Sequence, residues 1–135
     1  MDDLMKSKPE YIENRLTAYF EDSYKSDSRN KDWAENFSES DYNKANLVLS
    51  STMNITHKPV IDLDFESVLI PSTSKNHYHL YLNKEVAWDD YLAMLRAMQK
   101  CGIVQKGWVD SAEHRGYSAV RRPGKSKPVK ELTNE

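Results

Sequence analysis

The fold is decided between residues 61 and 103, which read IDLDFESVLIPSTSKNHYHLYLNKEVAWDDYLAMLRAMQKCGI. At the start of this stretch, Ile61, Leu63 and Phe65 alternate with acidic residues. Alternation with a period of two is typical of a strand that has one buried face. The turn formers PSTSKN then lead into HYHLYL at 77–82, which is rich in strand-favouring residues. The stretch therefore predicts a β-hairpin.

One alignment of the two strands separates their side chains by character. We expect Leu69 to lie opposite Tyr78, with Ser67 opposite Leu80 and Phe65 opposite Leu82, which makes one face mostly apolar. The opposite face then carries three residues that alternate along the second strand, and a slip of one residue would mix the two sets. These three residues are His77, His79 and Tyr81.

The second half of the stretch predicts an amphipathic helix. Its apolar residues recur at helical spacing, which forms one stripe. Gly102 is placed to end this helix in the left-handed conformation, and Ile103 is expected to fold back onto the last turn. The stripe consists of Trp88, Tyr91, Leu92, Leu95 and Met98.

The residues after this helix predict a second hairpin. Residues 104–109 are expected to form a strand, residues 110–116 a turn and residues 117–121 a final strand. The order hairpin, helix, hairpin predicts an α+β fold, in which one helix covers one face of a four-stranded antiparallel sheet. We expect the compact domain to span residues 59–122 and residues 123–135 to form a flexible basic tail.

Residues 1–58 are predicted to form an N-terminal helix and a polar linker. Capping-box spacing and an apolar repeat indicate a helix from about Pro9 to Tyr24. The polar residues from Lys25 to Asn46 are typical of a linker, and the alternative is a short helix over 32–37 that docks by its aromatic side chains. Residues 47–49 fit either a short strand or the end of a helix.

Composition limits the classes of function. The 135 residues carry a net charge of −2 with no polybasic block, which argues against strong non-specific duplex binding. A single cysteine, Cys101, excludes an internal disulfide and a cysteine-rich zinc site. No apolar run is long enough to span a membrane and no signal peptide is evident, so we expect a cytoplasmic protein without a membrane partner.

The motifs of residues 59–124 resemble those of a family of small bacteriophage proteins. That family combines an IDLD strand, a Ser/Thr-rich turn, HxHLY, a WxxY helix, GI(V/I)xxG and RGx(S/T)xxRxP. The resemblance covers about half of the chain and implies a phage origin, hence a host-cell cytoplasm, without implying an activity. The turn departs from the family, whose members usually have Pro-Gly where this chain has Ser74-Lys75-Asn76. The matching residues are Asp62, Asp64, His77, His79, Leu80, Tyr81, Trp88, Tyr91, Gly102, Ile103, Gly107, Arg115, Gly116 and Arg121.

A second resemblance is to archaeo-eukaryotic primases, which bind metal ions through Asp-x-Asp and the nucleotide through Ser-x-His. Asp62-x-Asp64 and the stretch from Ser74 to His79 look similar, but only about 15 residues separate them here, whereas the primase motifs lie much further apart. Carboxylates could hold a divalent metal. The candidate metal ligands are Asp62, Asp64 and Glu66.

The candidate ligand-binding residues combine imidazole, aromatic and guanidinium groups. An aromatic and imidazole sheet face can stack nucleotide bases, and arginine matches phosphate in a bidentate way. The same face could instead pack under the N-terminal helix or against a second copy of the chain. The candidates are His77, His79, Tyr81, Arg115 and Arg121.

Three functions follow from these observations. The leading hypothesis is a non-enzymatic phage accessory protein that binds a nucleotide, a nucleic acid or a host protein, in host-defence inhibition or replication support. The second is a metal-dependent phosphoryl-transfer enzyme that uses Asp62, Asp64 and His79. The third is a structural or assembly protein whose sheet face makes a homo-oligomer contact.

Overall fold

The computed structural model describes residues 8–19 and 39–125, which belong to two compact units. Unit 1 is Met1–Asp62 and unit 2 is Leu63–Glu135. Within the described residues, the sheets are two separate antiparallel pairs, β1–β2 in unit 1 and β3–β4 in unit 2. The predicted four-stranded sheet is therefore wrong, although an α+β composition remains. In the same residues, no helix has the length and apolar character needed to cross a membrane.

Unit 1 is built on a short strand pair rather than on the predicted helix. A 3-10 turn, Glu10–Ile12, precedes β1, Thr17–Ala18, which pairs with β2, Leu47–Val48. The chain leaves any helical path at Asn14, whose φ is +65°. The predicted helix is therefore wrong over residues 9–19. Its remainder, 20–24, lies outside the described residues.

A second short strand follows in the N-terminal unit. Residues Leu47–Val48 form β2, so the strand alternative for residues 47–49 is confirmed. The alternative helix over 32–37 lies outside the described residues. After β2 in the sequence, the chain turns tightly between Ser51 and His57, which form an isolated antiparallel bridge.

The central hairpin of unit 2 exists, but its strands are shorter and differently aligned. Strand β3, Ser67–Pro71, pairs with β4, Tyr78–Leu82. Leu69 lies opposite Leu80, so the partner is two residues further along than predicted. Residues 61–66 lie outside the strand, and Ile61 is exposed.

The turn explains the alignment. Ser72 N–H donates to His77 O at 2.8 Å, and His77 N–H donates to Ser74 O at 3.2 Å. Asn76 adopts a left-handed φ of +64° inside that inner turn, which asparagine tolerates better than most residues. These bonds centre the turn one residue later than expected. A shift of two residues preserves the alternation, so each side chain stays on its predicted hairpin face.

Helix α1 is confirmed. It runs over Trp88–Lys100, and its predicted stripe is the less exposed side, with Leu95 only 3% exposed. Gly102 ends it with φ +78°, and Ile103 N–H folds back to Met98 O at 2.9 Å. These two features form a Schellman motif. The N-cap is Ala87, without a side-chain cap.

Helix α2, Lys106–Arg115, stands where a strand and a turn were predicted. Val109 and Ala112, three positions apart, are fully buried, which is the spacing of one helix face. Gly116 ends the helix with a left-handed φ of +88°. Residues 117–121 form no strand either; the second hairpin is wrong because α1 packs against another helix.

Candidate ligand cleft between the hairpin and helix α2

The described part of unit 2 contains an open cleft of about 430 Å³. It lies between the β3–β4 turn, helix α2 and the non-helical segment 117–125, which we call the C-terminal strap. Imidazole, hydroxyl, indole and guanidinium groups are all present in its wall. The lining residues are Ser72, Ser74, His77, His79, Trp108, Ala119, Val120 and Arg121.

The hairpin supplies the two imidazoles. His79 pairs with Ile70 in the ladder, and His77 lies on the same face because side chains two apart in a strand point the same way. His79 is half-buried and His77 is exposed. Within the described residues, neither imidazole makes a side-chain hydrogen bond, so both remain available to a ligand.

Trp108 connects helix α2 to the strap. Its indole N–H donates to the carbonyl of Ala119 at 3.1 Å, which fixes the orientation of the ring and the path of the strap. The hydroxyls of Tyr91 and Ser118 lie 2.7 Å apart and hold the beginning of the strap to α1. The strap can therefore present Arg121 at the cleft although it has no strand partner.

Arg121 is the cationic group of the cleft. It is half-buried, and its guanidinium makes no hydrogen bond or ion pair with any residue in 8–19 or 39–125. An arginine so placed keeps its donors for a partner, and a planar guanidinium binds phosphate or carboxylate through two parallel hydrogen bonds. The cleft thus offers a built contact for an anion.

The two carboxylates on α2, Asp110 and Glu113, are already paired. Arg96 donates to Asp110 at 2.9 Å and also to Glu113, and Lys106 donates to Asp110 at 2.8 Å. The hydrogen bond from Lys106, then that from Arg96, lowers the pKa of Asp110. The hydrogen bond to Glu113, then that to Asp110, raises the pKa of Arg96. No Asp or Glu lines the cleft.

Three of the five predicted ligand residues meet in this cleft: His77, His79 and Arg121. Tyr81 shares the hairpin face of His79 but lies outside the cleft wall. Arg115, at the end of α2, places its guanidinium 5.3 Å from the centre of the Tyr117 ring and also lies outside the wall.

Trp108 and Ser72 were not among the candidate residues, and Ser74 entered only as the start of the primase-like stretch. Trp108 was assigned to a strand, and only the helix brings it to the hairpin. Ser72 and Ser74 were visible as turn formers, and their spacing of two on the approach to His77 was a usable signal. The Ser74 N–H donates to Ser72 Oγ at 3.1 Å, which orders the serine side of the cleft.

The predicted metal ligands fall elsewhere. Asp62 is the last residue of unit 1, whereas Asp64 and Glu66 belong to the segment that precedes β3 in unit 2. Over residues 8–19 and 39–125, no three His, Cys, Asp or Glu side chains come together as a group that could hold a metal ion. The metal assignment therefore gains no geometric support.

The apolar face of the hairpin is less covered than the sequence predicted. The apolar face was predicted to lie under the helix, yet Leu69, Tyr78 and Leu80 are each more than half exposed. On the opposite face, for which a ligand, the N-terminal helix and a second copy were the alternatives, His77 and His79 line the cleft with Trp108 and the strap. The reason is that the expected second hairpin is helix α2, which meets the imidazole side.

Comparisons with models of protein families, with curated proteins and with solved structures each gave no significant match. The resemblance to small bacteriophage proteins accordingly stays a prediction, and the function must be argued from the cleft itself.

Proposed function

We propose that unit 2 is a binding module for a nucleotide, either free or as part of a nucleic acid. The observation that carries this proposal is the meeting of an unpaired arginine, two imidazoles and an indole in one acid-free cleft. A phage-encoded accessory role belongs to the same proposal, and its support is the motif resemblance alone. No catalytic step is proposed.

The phosphate is assigned to Arg121. Its guanidinium has five N–H donors and no ion-pair partner within the described residues. The hydroxyls of Ser72 and Ser74 and the two imidazoles add further hydrogen-bonding groups around it. Hydrogen bonds to charged groups are worth about 1.5–3 kcal/mol each, so one good arginine contact can dominate the affinity for phosphate.

The base is assigned to Trp108. The indole N–H is occupied by Ala119, so the ring can contribute only its faces and edge to the cleft. Stacking a base on an aromatic ring is worth about 1–3 kcal/mol and tolerates every base. The cleft volume of about 430 Å³ lies within the usual range for small-ligand sites.

Calorimetric titration tests this assignment group by group. We expect thymidine monophosphate to bind more tightly than thymidine or inorganic phosphate. Arg121→Gln should weaken the monophosphate about 10- to 100-fold, which corresponds to about 1.5–3 kcal/mol, while hardly changing the affinity for thymidine. Trp108→Phe should weaken both thymidine ligands because it reduces the stacking area.

Arg122→Gln is the matched control. Arg122 is the next residue along the strap, carries the same charge and is exposed, but it does not line the cleft. It should change the affinity for the monophosphate by less than about twofold. Equal losses in the Arg121 and Arg122 variants would show a diffuse charge effect and would refute the assignment of the phosphate to this cleft.

A further inference from the structure

The cleft opens onto a segment whose charge and aromatic content extend the site. No Asp or Glu occurs between Glu113 and Glu131. The described part of that segment contains Arg115, Arg121 and Lys125 among its basic residues, and Thr73 Oγ1 donates to Lys125 O at 3.4 Å. The chain as a whole is slightly acidic, so this positive charge is local to the segment that follows Glu113.

A second aromatic ring lies at the start of the strap. Tyr117 is 58% exposed, and the guanidinium of Arg115 covers one face of its ring at 5.3 Å. A cation over one face orients the ring and leaves the other face for a stacked partner. A ring paired with a cation is the combination that binds successive bases and phosphates of a single strand.

The spacing between Arg121 in the cleft and Tyr117 at the start of the strap indicates how long a ligand must be to contact both. Arg121 lies four positions after Tyr117, and a fully extended chain of that length spans up to about 14 Å. Stacked nucleotides rise by about 3.4 Å each. A strand of several nucleotides is long enough to cover even the full extended span from Arg121 to Tyr117.

We infer that the ligand of unit 2 is single-stranded nucleic acid, which places one nucleotide in the cleft and runs along the strap to Tyr117 and Arg115. This inference rests on the proposed function, because Arg121 and Trp108 hold the first nucleotide. A duplex is disfavoured because its bases are already stacked and paired, and because a chain of net charge −2 provides little attraction for two phosphate backbones.

Competition against a fluorescein-labelled thymidine octamer tests the inference by anisotropy. Unlabelled thymidine monophosphate, dimer, tetramer and octamer are compared on the full chain. We expect affinity to rise at least tenfold from monophosphate to octamer, and a duplex of the same length to compete more weakly than the single strand. The logarithm of the affinity should fall with the logarithm of salt concentration at a slope of about −0.7 per phosphate contact.

Tyr117→Ala should lower the ratio of octamer to monophosphate affinity about fivefold or more, since one stacking contact is lost. Tyr78→Ala is the matched control, because Tyr78 is equally exposed at 59% but lies on the apolar hairpin face, and it should leave the ratio unchanged. Arg115→Gln should lower the ratio and reduce the salt slope by about 0.7.

The outcomes separate this inference from the proposed function. If the monophosphate and the octamer bind equally and both depend on Arg121, the single-strand inference is overturned while the nucleotide module stands. If neither ligand binds, both the inference and the proposed function are refuted; if the monophosphate depends on Arg121 but the octamer does not, only the single-strand inference is refuted. A drop in the affinity ratio that is equal for Tyr117→Ala and Tyr78→Ala also overturns the inference.

Discussion

The interactions that stabilise unit 1 internally differ from those that stabilise unit 2. In unit 2, the buried side chains Leu95, Val109 and Ala112 join two helices. In unit 1, Ile12 and Ala18 are also buried, but distant segments are in addition joined by backbone hydrogen bonds, such as Leu16 N–H to Ser51 O and Glu39 N–H to Thr17 O, both at 2.9 Å. The helix pair of unit 2 therefore depends on side-chain volume, whereas the long-range contacts of unit 1 depend also on backbone conformation. Each kind of interaction should respond to a different substitution.

The largest loss of stability should come from removing a buried side chain at the interface between α1 and α2. Leu95→Ala removes a side chain that is only 3% exposed, and buried Leu→Ala changes cost about 2–5 kcal/mol. Urea unfolding followed by circular dichroism at 222 nm measures the loss, because α1 and α2 are the α-helices of the described residues.

Met94→Ala is the control for Leu95→Ala. Met94 lies on the same helix but is exposed, so the substitution should lower the free energy of unfolding by less than about 1 kcal/mol. If the two variants lost similar free energies of unfolding, packing at the helix interface would not be what stabilises unit 2. The contrast with unit 1 would then be refuted.

In unit 1, a substitution at Ile55 should increase stability, by a smaller amount. Ile55 is 98% exposed and has φ +59°, a conformation that costs an L-residue about 1–2 kcal/mol. Glycine adopts it without that cost but makes the unfolded chain more flexible. Ile55→Gly should therefore stabilise unit 1 by about 0.5–1 kcal/mol.

Amide hydrogen exchange is the suitable measurement for Ile55→Gly. The amides of Thr52 and Lys58, which bond to Thr56 O and Ser50 O across the same turn, should become better protected. Met53→Gly is the control, since Met53 is also exposed but has no positive φ, and it should reduce protection. Protection that falls in both variants would show that the Ile55 conformation carries no strain.

The same contrast explains what the sequence could predict. Helix α1 was predictable because five apolar residues recur at one spacing and Gly102 marks its end. Helix α2 was not, since Gly107 and Val109 are poor helix formers and only its packing against α1 makes the segment helical. In unit 1, Thr17 and Ala18 owe their burial to partners distant in sequence, which local periodicity does not reveal.

The site was predictable to the extent that it depends on strand alternation. His77 and His79 share a face in any alignment that shifts by two residues, so the misplaced turn did not separate them. Their association with Arg121 was anticipated only as a set of residue types. Trp108 could not be included, because its place depends on helix α2, and the exposed Leu69 was assigned to the interior for the same reason.

The smallest change in stability is expected from the exposed ion pairs of α2. It tests whether these pairs stabilise unit 2 in addition to its side-chain packing. The hydrogen bonds from Lys106 and Arg96 lower the pKa of Asp110 below its ordinary value. A carboxyl group with a depressed pKa in the folded state contributes stability that is fully present above its unfolded pKa and is lost as pH falls through its folded pKa. Asp110→Asn should therefore lower the urea midpoint at pH 6, and the difference from the parent chain should vanish below the folded pKa.

Salt provides the control for that measurement, because these pairs face solvent and 1 M NaCl screens them. The difference at pH 6 should shrink in salt, whereas the effect of Leu95→Ala should persist, because burial of apolar surface is not screened. An NMR titration of the Asp110 carboxyl group adds a direct check: a pKa at or above its ordinary value would show that the pairs do not form. Packing alone would then hold the two helices together.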